Sequence, residues 1–314
     1  MDVYLNGAML PEAEAQVHVQ DAGIQHGVGL FETIAVRNGR AFRPALHVQR
    51  LIHSARELGL GRPVDAEHLL DAIRTTIAHN AVREARLRLT VTGGQISLLS
   101  RNDEAGDDDG TPPVEPTVFA VATPPTVYDS RYFEQGIMVT VAPQAVNGFD
   151  PVSGHKTLAY WSRLLRLRQA AQAGAGEVIQ LSNTNHLASG AISNLLLVKD
   201  GALLTPWARG EEEQGALPAP VLPGITRQTV IEIAERKKIP VHRRTMSIDD
   251  LLEADEVMLT NASWHILPVT RVEKKTIADG RVGPMTTMLR EALLELIAHE
   301  TTTDEVDEMN GLDR

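Results

Sequence analysis

The sequence predicts an α+β protein of two domains. Three observations predict it. Tight Asn-Gly hairpins are mixed with amphipathic helical stretches in both halves of the chain. The 314 residues suffice for two domains of ordinary size. Residues 143–153, with Asn147-Gly148 and Asp150-Pro151, read as a linker and place the junction near 125–150. The expected organisation is an N-terminal α+β domain over 1–125 and a strand with linker over 126–152. A C-terminal domain over 153–300 and a disordered tail over 301–314 follow.

Val3 to Leu5 and Ala8 to Pro11 flank Asn6-Gly7 and read as a hairpin. A second hairpin joins Phe31–Val36 to Ala41–Arg43 through Asn38-Gly39. Leu46 to Leu60 places Leu46, Leu51, Ala55 and Leu58 on one helical face, and Asp65 to His79 does the same with Leu69, Leu70, Ile73 and Ile77. Ala85 to Thr92 alternates as a strand. Residues 102–116 are acidic and contain Gly and Pro, which reads as a mobile loop. Thr117–Thr123 and Gly136–Ala142 are apolar strands. The second half predicts helices over Leu158–Ala173, Gly224–Lys237, Ile248–Glu253 and Thr286–Ala298. Its strands are Glu177–Leu181, Asn194–Lys199, Ala202–Thr205, Val241–Arg243, Glu256–Thr260 and Ile266–Val272. No internal repeat is evident.

Composition narrows the function. The hydrophobic share of 43% and charged share of 23% are those of a globular protein. A formal charge of −11 argues against nucleic-acid and acidic-membrane partners. The acidic runs at 103–109, Glu211-Glu212-Glu213 and after Thr301 read as solvated segments. The chain has no cysteine, which excludes disulfides, thiolate metal sites and a cysteine nucleophile. The histidines lack ligand spacing, so no metal is expected. With no signal run and no membrane-length apolar stretch, a cytoplasmic protein is expected.

One lysine stands apart. Of six lysines, four form the doublets Lys237-Lys238 and Lys274-Lys275, and Lys199 sits in a Lys-Asp-Gly turn. Lys156 lies alone, where a loop enters an apolar stretch. An isolated lysine there is a candidate for Schiff-base chemistry with a carbonyl cofactor, although most lysines are solvated surface groups. Leu222-Pro223-Gly224-Ile225-Thr226-Arg227 combines a tight turn with a helix start. Its unpaired amides, positive dipole end and Thr226 hydroxyl suit an anion; an ordinary helix start is the plainer alternative. Thr260-Asn261-Ala262-Ser263 after a strand suits a phosphate or a plain turn. Arg50 offers a two-donor fork for a phosphate or is a solvated helix residue.

Taken together these segments resemble the fold-type IV, or class IV, pyridoxal-phosphate enzymes. That group comprises branched-chain and D-amino-acid aminotransferases and 4-amino-4-deoxychorismate lyases. The resemblance rests on six ordered motifs. They are Asp21-Ala22-Gly23 through Gly27–Thr33; His47-x-x-Arg50-Leu51; Lys156-Thr157-Leu158; Ser193-Asn194-Leu195; Leu222 to Arg227; and Thr260-Asn261 with Pro268-Val269. It implies a two-domain fold with a smaller N-terminal α+β domain and a larger, β-barrel-like C-terminal domain. It also implies a homodimer and pyridoxal 5'-phosphate as cofactor.

The resemblance further implies roles. Lys156 would form the internal aldimine and shuttle the proton. Arg50, Gly224, Ile225, Thr226, Thr260 and Asn261 would bind the cofactor, largely at its phosphate. Tyr160 would meet its phenolic oxygen. Phe31, Arg88 and Ser263 fall on the substrate side, with Arg88 facing a carboxylate.

One departure is chemically central. The family carries an acid five positions before the motif asparagine, and Ser189 stands there instead. A serine holds no charge, so the pyridine nitrogen it meets is expected to be neutral. Ala159 and His265 also depart, at positions where relatives often have Asn and Gly. Three readings follow, in order of preference: transamination of a branched-chain-like or D-amino-acid-like substrate, a lyase that eliminates pyruvate, and a binding protein that has lost catalysis. The 208–221 segment reads equally as a lid or as a surface insertion.

Overall fold

The computed structural model describes residues 1–60, 64–95 and 115–302. Most of the acidic loop expected at 102–116 and nearly all of the 301–314 tail lie outside them. The described chain forms two compact units. One comprises residues up to Pro125, Lys156–Ala159 and the residues from Ile297 on; the other comprises Thr126–His155 and Tyr160–Leu296.

The first unit contains β1 (Asp2–Leu5), β2 (Ala8–Pro11), α1 (Ala22–His26), β3 (Gly29–Arg37), β4 (Arg40–Ala41), α2 (Pro44–Glu57), α3 (Ala66–His79), β5 (Ala85–Thr92) and β6 (Val118–Thr123). The hairpins expected at Asn6-Gly7 and Asn38-Gly39 both form, with each asparagine and glycine at positive φ. The six strands run β2-β1-β6-β5-β3-β4. Leu30, Ile34, Leu87 and Leu89 from the sheet join Val48, Leu51, Leu69 and Ile73 from α2 and α3 in one buried core. Asp65, expected as the first residue of the helix, instead caps α3 by accepting from the amide of His68.

The segment Lys156–Ala159 behaves differently from expectation. A helix from Leu158 is predicted, but α5 begins at Trp161 with Tyr160 as its N-cap residue. Residues 156–158 are instead extended against β3. Phe31 N donates to Lys156 O (3.0 Å), Leu158 N donates to Gly29 O (2.9 Å), and Thr157 pairs with Leu30. The cause is an unfilled edge. β4 pairs only with Val36 and Arg37 of β3, so the first half of β3 offers backbone groups that need partners. Gly29 permits the approach, since a Cβ there would lie 2.6 Å from Leu158 Cδ1 and 2.7 Å from Val91 O.

The second unit contains α4 (Arg131–Glu134), β7 (Ile137–Val141), α5 (Trp161–Gln172), β8 (Glu177–Leu181), β9 (Leu187–Gly190), β10 (Asn194–Lys199), β11 (Ala202–Thr205), α6 (Ile225–Arg236), β12 (Val241–Arg243), α7 (Ile248–Leu252), β13 (Glu256–Asn261), β14 (His265–Val272), β15 (Lys275–Thr276) and α8 (Pro284–Glu300). Strands β10, β13, β14, β7, β8 and β9 pair in that order, and β9 returns to β10, which closes a six-stranded ring. This is the barrel-like core the resemblance implies. Its interior holds Ile179, Leu195, Leu197, Val257, Leu259 and Leu267.

Strand β9 is not predicted from sequence, because Ala188-Ser189-Gly190 is too small and polar to read as a strand. It carries a bulge. Ile179 and Leu181 of β8, two apart, face Gly190 and Leu187, three apart. One extra residue reverses the in–out alternation, so Leu187 joins the barrel core while Ser189 turns to the outer face.

Candidate functional site

Each unit carries part of the expected site set. In the first unit, Phe31 is buried and two cations approach its ring. The Lys156 amine lies 4.4 Å from the ring centroid and the Arg88 guanidinium carbon 3.7 Å. Strand register explains the grouping. Phe31 faces Thr90 and Thr33 faces Arg88 across the β3–β5 ladder, so all four side chains project from one face of the sheet.

Glu32 projects from the other face toward α2. Its carboxylate takes Arg50 through Nε (2.9 Å) and Nη2 (2.6 Å), and His47 through Nδ1 (2.7 Å). Arg50 has five N–H donors, and this fork uses two of them. Burial raises the Glu32 pKa, but the Arg50 charge and the His47 and Arg50 hydrogen bonds overcome it and hold the group at about 2. Burial lowers the His47 pKa, helped by the charges of Arg50 and Lys156 and opposed by Glu32. The sequence singles out Arg50 but not the two residues that hold it.

This arrangement has a pH signature. A depressed folded-state carboxylate contributes stability that is full above its unfolded pKa and is lost as pH falls. Wild type is expected to exceed Glu32→Gln by about 3 kcal/mol at pH 7, because the carboxyl falls from its ordinary value of 4.5 to about 2. Urea titrations should show that margin shrinking as pH drops from 4.5 toward 2. A margin that is constant with pH would mean that folding leaves the Glu32 pKa unchanged, and one that grows as pH falls would mean that the folded carboxyl is neutral.

In the second unit, Ser189, Asn194 and Thr260 lie side by side on adjacent strands. Ser189 pairs with Asn194 across β9–β10, and Asn194 pairs with Thr260 across β10–β13. Since Leu195 and Leu259 point into the barrel, Asn194 and Thr260 point out of it. The Thr260 hydroxyl is buried without a hydrogen-bond partner among the described residues. Such a group ordinarily requires one. The helix α6 starts at Ile225 after Gly224, as predicted, and no side chain caps its first amides. Thr226 is buried in its first turn. An unpartnered hydroxyl and an uncapped helix start in this unit are what a phosphate group would satisfy.

Ser189 Oγ donates to Gly190 O (2.9 Å). A buried acid, Glu177, lies on the neighbouring strand β8, and sequence reading passes over it. It does not replace the missing carboxylate. Its oxygens accept from the amides of Val178, Ala191 and Ile192 and from Ser193 Oγ at 2.9–3.2 Å. It lies on the inner side, 2.9 Å from where a Gly190 Cβ would sit, while Ser189 faces outward. Burial raises the Glu177 pKa against the pull of these donors. Its work is to hold the Gly190–Ser193 turn that joins β9 to β10.

The remaining expected residues are more structural. Asn261 accepts from the amides of Ser263 and Trp264 in the β13–β14 turn and donates to Ile192 O (3.3 Å) in the β9–β10 turn, so its amide ties the two turns together. Ser263 Oγ contacts Tyr128 OH at 2.7 Å. His265 in that turn has φ of +66°, a backbone region that favours the glycine relatives often carry there. Tyr160 is half-buried at the start of α5.

The acidic run at 211–213 corrects the sequence reading. Glu211 is not a solvated loop charge. It forms a two-pronged ion pair with Arg227, 2.8 Å at each prong, and Arg227 is among the most buried side chains of the chain. Arg227 also donates to Thr205 Oγ1 and Pro206 O, both at 2.9 Å. Glu212 accepts from the amides of Gly210 and Ala219. Arg209 Nη1 donates to Ser153 O (3.0 Å). The segment is thus tied down through Arg209, Glu211 and Glu212. No group of metal-ligating side chains occurs among the described residues.

Comparison with known proteins identifies the family. The amino-transferase class IV profile matches residues 29–272. A Methanocaldococcus jannaschii protein named "Putative branched-chain-amino-acid aminotransferase" is 31% identical, over 94% of this chain and 96% of its own. The D-alanine aminotransferase of Staphylococcus haemolyticus is 30% identical, over 94% of this chain and 97% of its own. Among solved structures, the Escherichia coli branched-chain amino acid aminotransferase superposes with a TM-score of 0.84 at 29% identity, covering 96% of both chains. The 4-amino-4-deoxychorismate lyase of Pseudomonas aeruginosa gives 0.78 at 27% identity, covering 93% of this chain and 98% of that one. The chain belongs to the class IV aminotransferases, a pyridoxal-phosphate-dependent family.

Proposed function

We propose that the protein uses pyridoxal 5'-phosphate to move an amino group from an amino acid to a 2-oxo acid, on a branched-chain-like or D-amino-acid-like substrate. The observation that carries this reading is the buried, unpartnered Thr260 hydroxyl in the unit whose helix α6 begins uncapped. When bound, the cofactor supplies an electron-withdrawing ring that stabilises charge at the substrate α-carbon. Lys156 binds the cofactor through Nζ and carries the proton to and from that carbon. The phosphate is held by Arg50, the amides of Ile225 and Thr226 after Gly224, and the hydroxyls of Thr226 and Thr260. Asn261 keeps the turn after Thr260 in shape. Tyr160 meets the phenolic oxygen and Ser189 the ring nitrogen. Arg88 receives the substrate carboxylate, with Phe31 and Ser263 lining the substrate side.

A second reading, elimination of the aminodeoxychorismate-lyase type, has one specific support. With Glu177 on the far side of β9, the outward face at Ser189 carries a hydroxyl where the family has a carboxylate. A neutral ring disfavours proton loss at the α-carbon more than it disfavours departure of a good leaving group. We further propose a cytoplasmic homodimer. Helix α5 leaves Trp161, Leu164 and Leu165 exposed on its surface, an apolar face suited to a second copy.

The test joins the two readings. Purified protein should take up pyridoxal phosphate, and single-turnover reactions with L-leucine, D-alanine and aminodeoxychorismate should separate amino transfer from pyruvate release. Ser189→Glu should speed exchange of the substrate α-hydrogen about tenfold or more, equivalent to at least one pKa unit of ring-nitrogen effect. Exchange rates unchanged by that substitution would remove Ser189 from the ring nitrogen. A chain that takes up no cofactor would overturn the proposal as a whole.

A further inference from the structure

The middle residue of the outer row, Asn194, belongs to a sequence motif but has no role in the reading above. It is buried at the start of β10, between Ser189 and Thr260. Its amide Nδ2 donates to Leu222 O at 2.8 Å. Its Oδ1 fills the space beside Gly224, where a Cβ would overlap it. One side chain on the barrel therefore touches both the residue before Pro223 and the N-cap residue of α6. Thr260, whose hydroxyl lacks a partner, is its direct neighbour across β10–β13.

We propose that Asn194 is a positioning residue for the cofactor's phosphate, bracing the Leu222–Gly224 turn so that the first amides of α6 stand at a set height beside the Thr260 hydroxyl. This inference rests on the assignment of the phosphate to α6 and Thr260. The physical requirement is strict. An uncapped helix start binds an anion through two or three amides at hydrogen-bond distance, and a small tilt of the first turn loses that fit. The turn itself has no regular backbone ladder to hold it. The carboxamide anchors the turn to the barrel wall. It also explains Gly224: its φ of −71° is available to any residue, so the glycine is required by the Asn194 oxygen and not by backbone conformation.

The chemistry of the amide matters. Asparagine offers a donor to the Leu222 carbonyl and a neutral oxygen to Gly224. Aspartate at 194 would keep the shape but remove the donor, set a charge against the Leu222 carbonyl and repel the phosphate. Alanine would remove the brace alone.

The experiment compares two probes, pyridoxal 5'-phosphate and pyridoxal, which share the ring and aldehyde and differ in the phosphate. Equilibrium binding is followed by absorbance on wild type, Asn194→Ala, Asn194→Asp and Gly224→Ala, with thermal melts of each apo protein. Loss of one braced contact should weaken pyridoxal phosphate about fivefold to tenfold in Asn194→Ala, the worth of one hydrogen bond, and more in Asn194→Asp. Pyridoxal affinity should move less than twofold. Gly224→Ala, which pushes the same amide aside, should reproduce the loss. Equal weakening of both probes, or unchanged preference for the phosphorylated one, would overturn the positioning role. If Asn194→Ala does not fold, Gly224→Ala carries the same comparison. Wild type with no preference for the phosphorylated probe would instead refute the phosphate assignment itself.

Discussion

Lys156→Ala is expected to lower turnover by at least about a thousandfold, the joint loss of a covalent anchor and of an acid–base group. Borohydride treatment followed by peptide mapping should fix reduced cofactor on Lys156 in wild type and nowhere in the variant. Lys156→Arg should be nearly as inactive, since a guanidinium keeps the charge but neither attacks a carbonyl nor gives up its proton at neutral pH. The structure supports this choice of lysine by its surroundings. The amine shares the Phe31 ring with Arg88. Wild-type labelling at a doublet lysine, with Lys156→Ala still active, would refute the assignment.

Glu211→Ala should be the largest stability effect outside the cofactor set. It leaves the Arg227 guanidinium buried, 1% exposed, without its counter-charge. Removing one partner of such a pair costs about 3–5 kcal/mol. Glu213, exposed two residues on, is the control, and Glu213→Ala should stay within about 0.5 kcal/mol. The Glu211→Leu/Arg227→Met pair should recover much of the loss, because an apolar pair leaves no stranded charge. Urea midpoints measure all three variants. A cost under about 1 kcal/mol for Glu211→Ala would mean the insertion is not latched through Arg227. The effect should also reach the cofactor, since Arg227 directly follows Thr226 in the first turn of α6.

These two predictions separate the legible from the illegible. The Arg50, Lys156 and Thr226 segments could be picked out from sequence because each is a local pattern: an isolated lysine, a Pro-Gly helix start, an arginine on an amphipathic face. Glu32, Glu177 and Glu211 could not, because each acts on a partner distant in the chain; Asn194 stands in a motif, but its contact with Leu222 lies twenty-eight residues away. Glu32 reaches Arg50 eighteen residues on, and Glu177 reaches Ser193 sixteen residues on. A carboxylate in sequence looks solvated by default; only packing shows that water has been replaced by amides and guanidinium groups. The acidic run at 211–213 misleads for that reason.

By itself the sequence determined what short-range physics controls. Asn-Gly turns set two hairpins, apolar periodicity placed most helices and strands within a few residues, and ordered motifs pointed to the family. The tertiary structure decided what depends on pairing between distant segments. The free edge of β3 drew 156–158 out of a helix, a single bulge in β9 turned Ser189 outward, and closure of β9 on β10 made the barrel. Backbone groups must find partners wherever the fold leaves them, and no local propensity encodes where that will be.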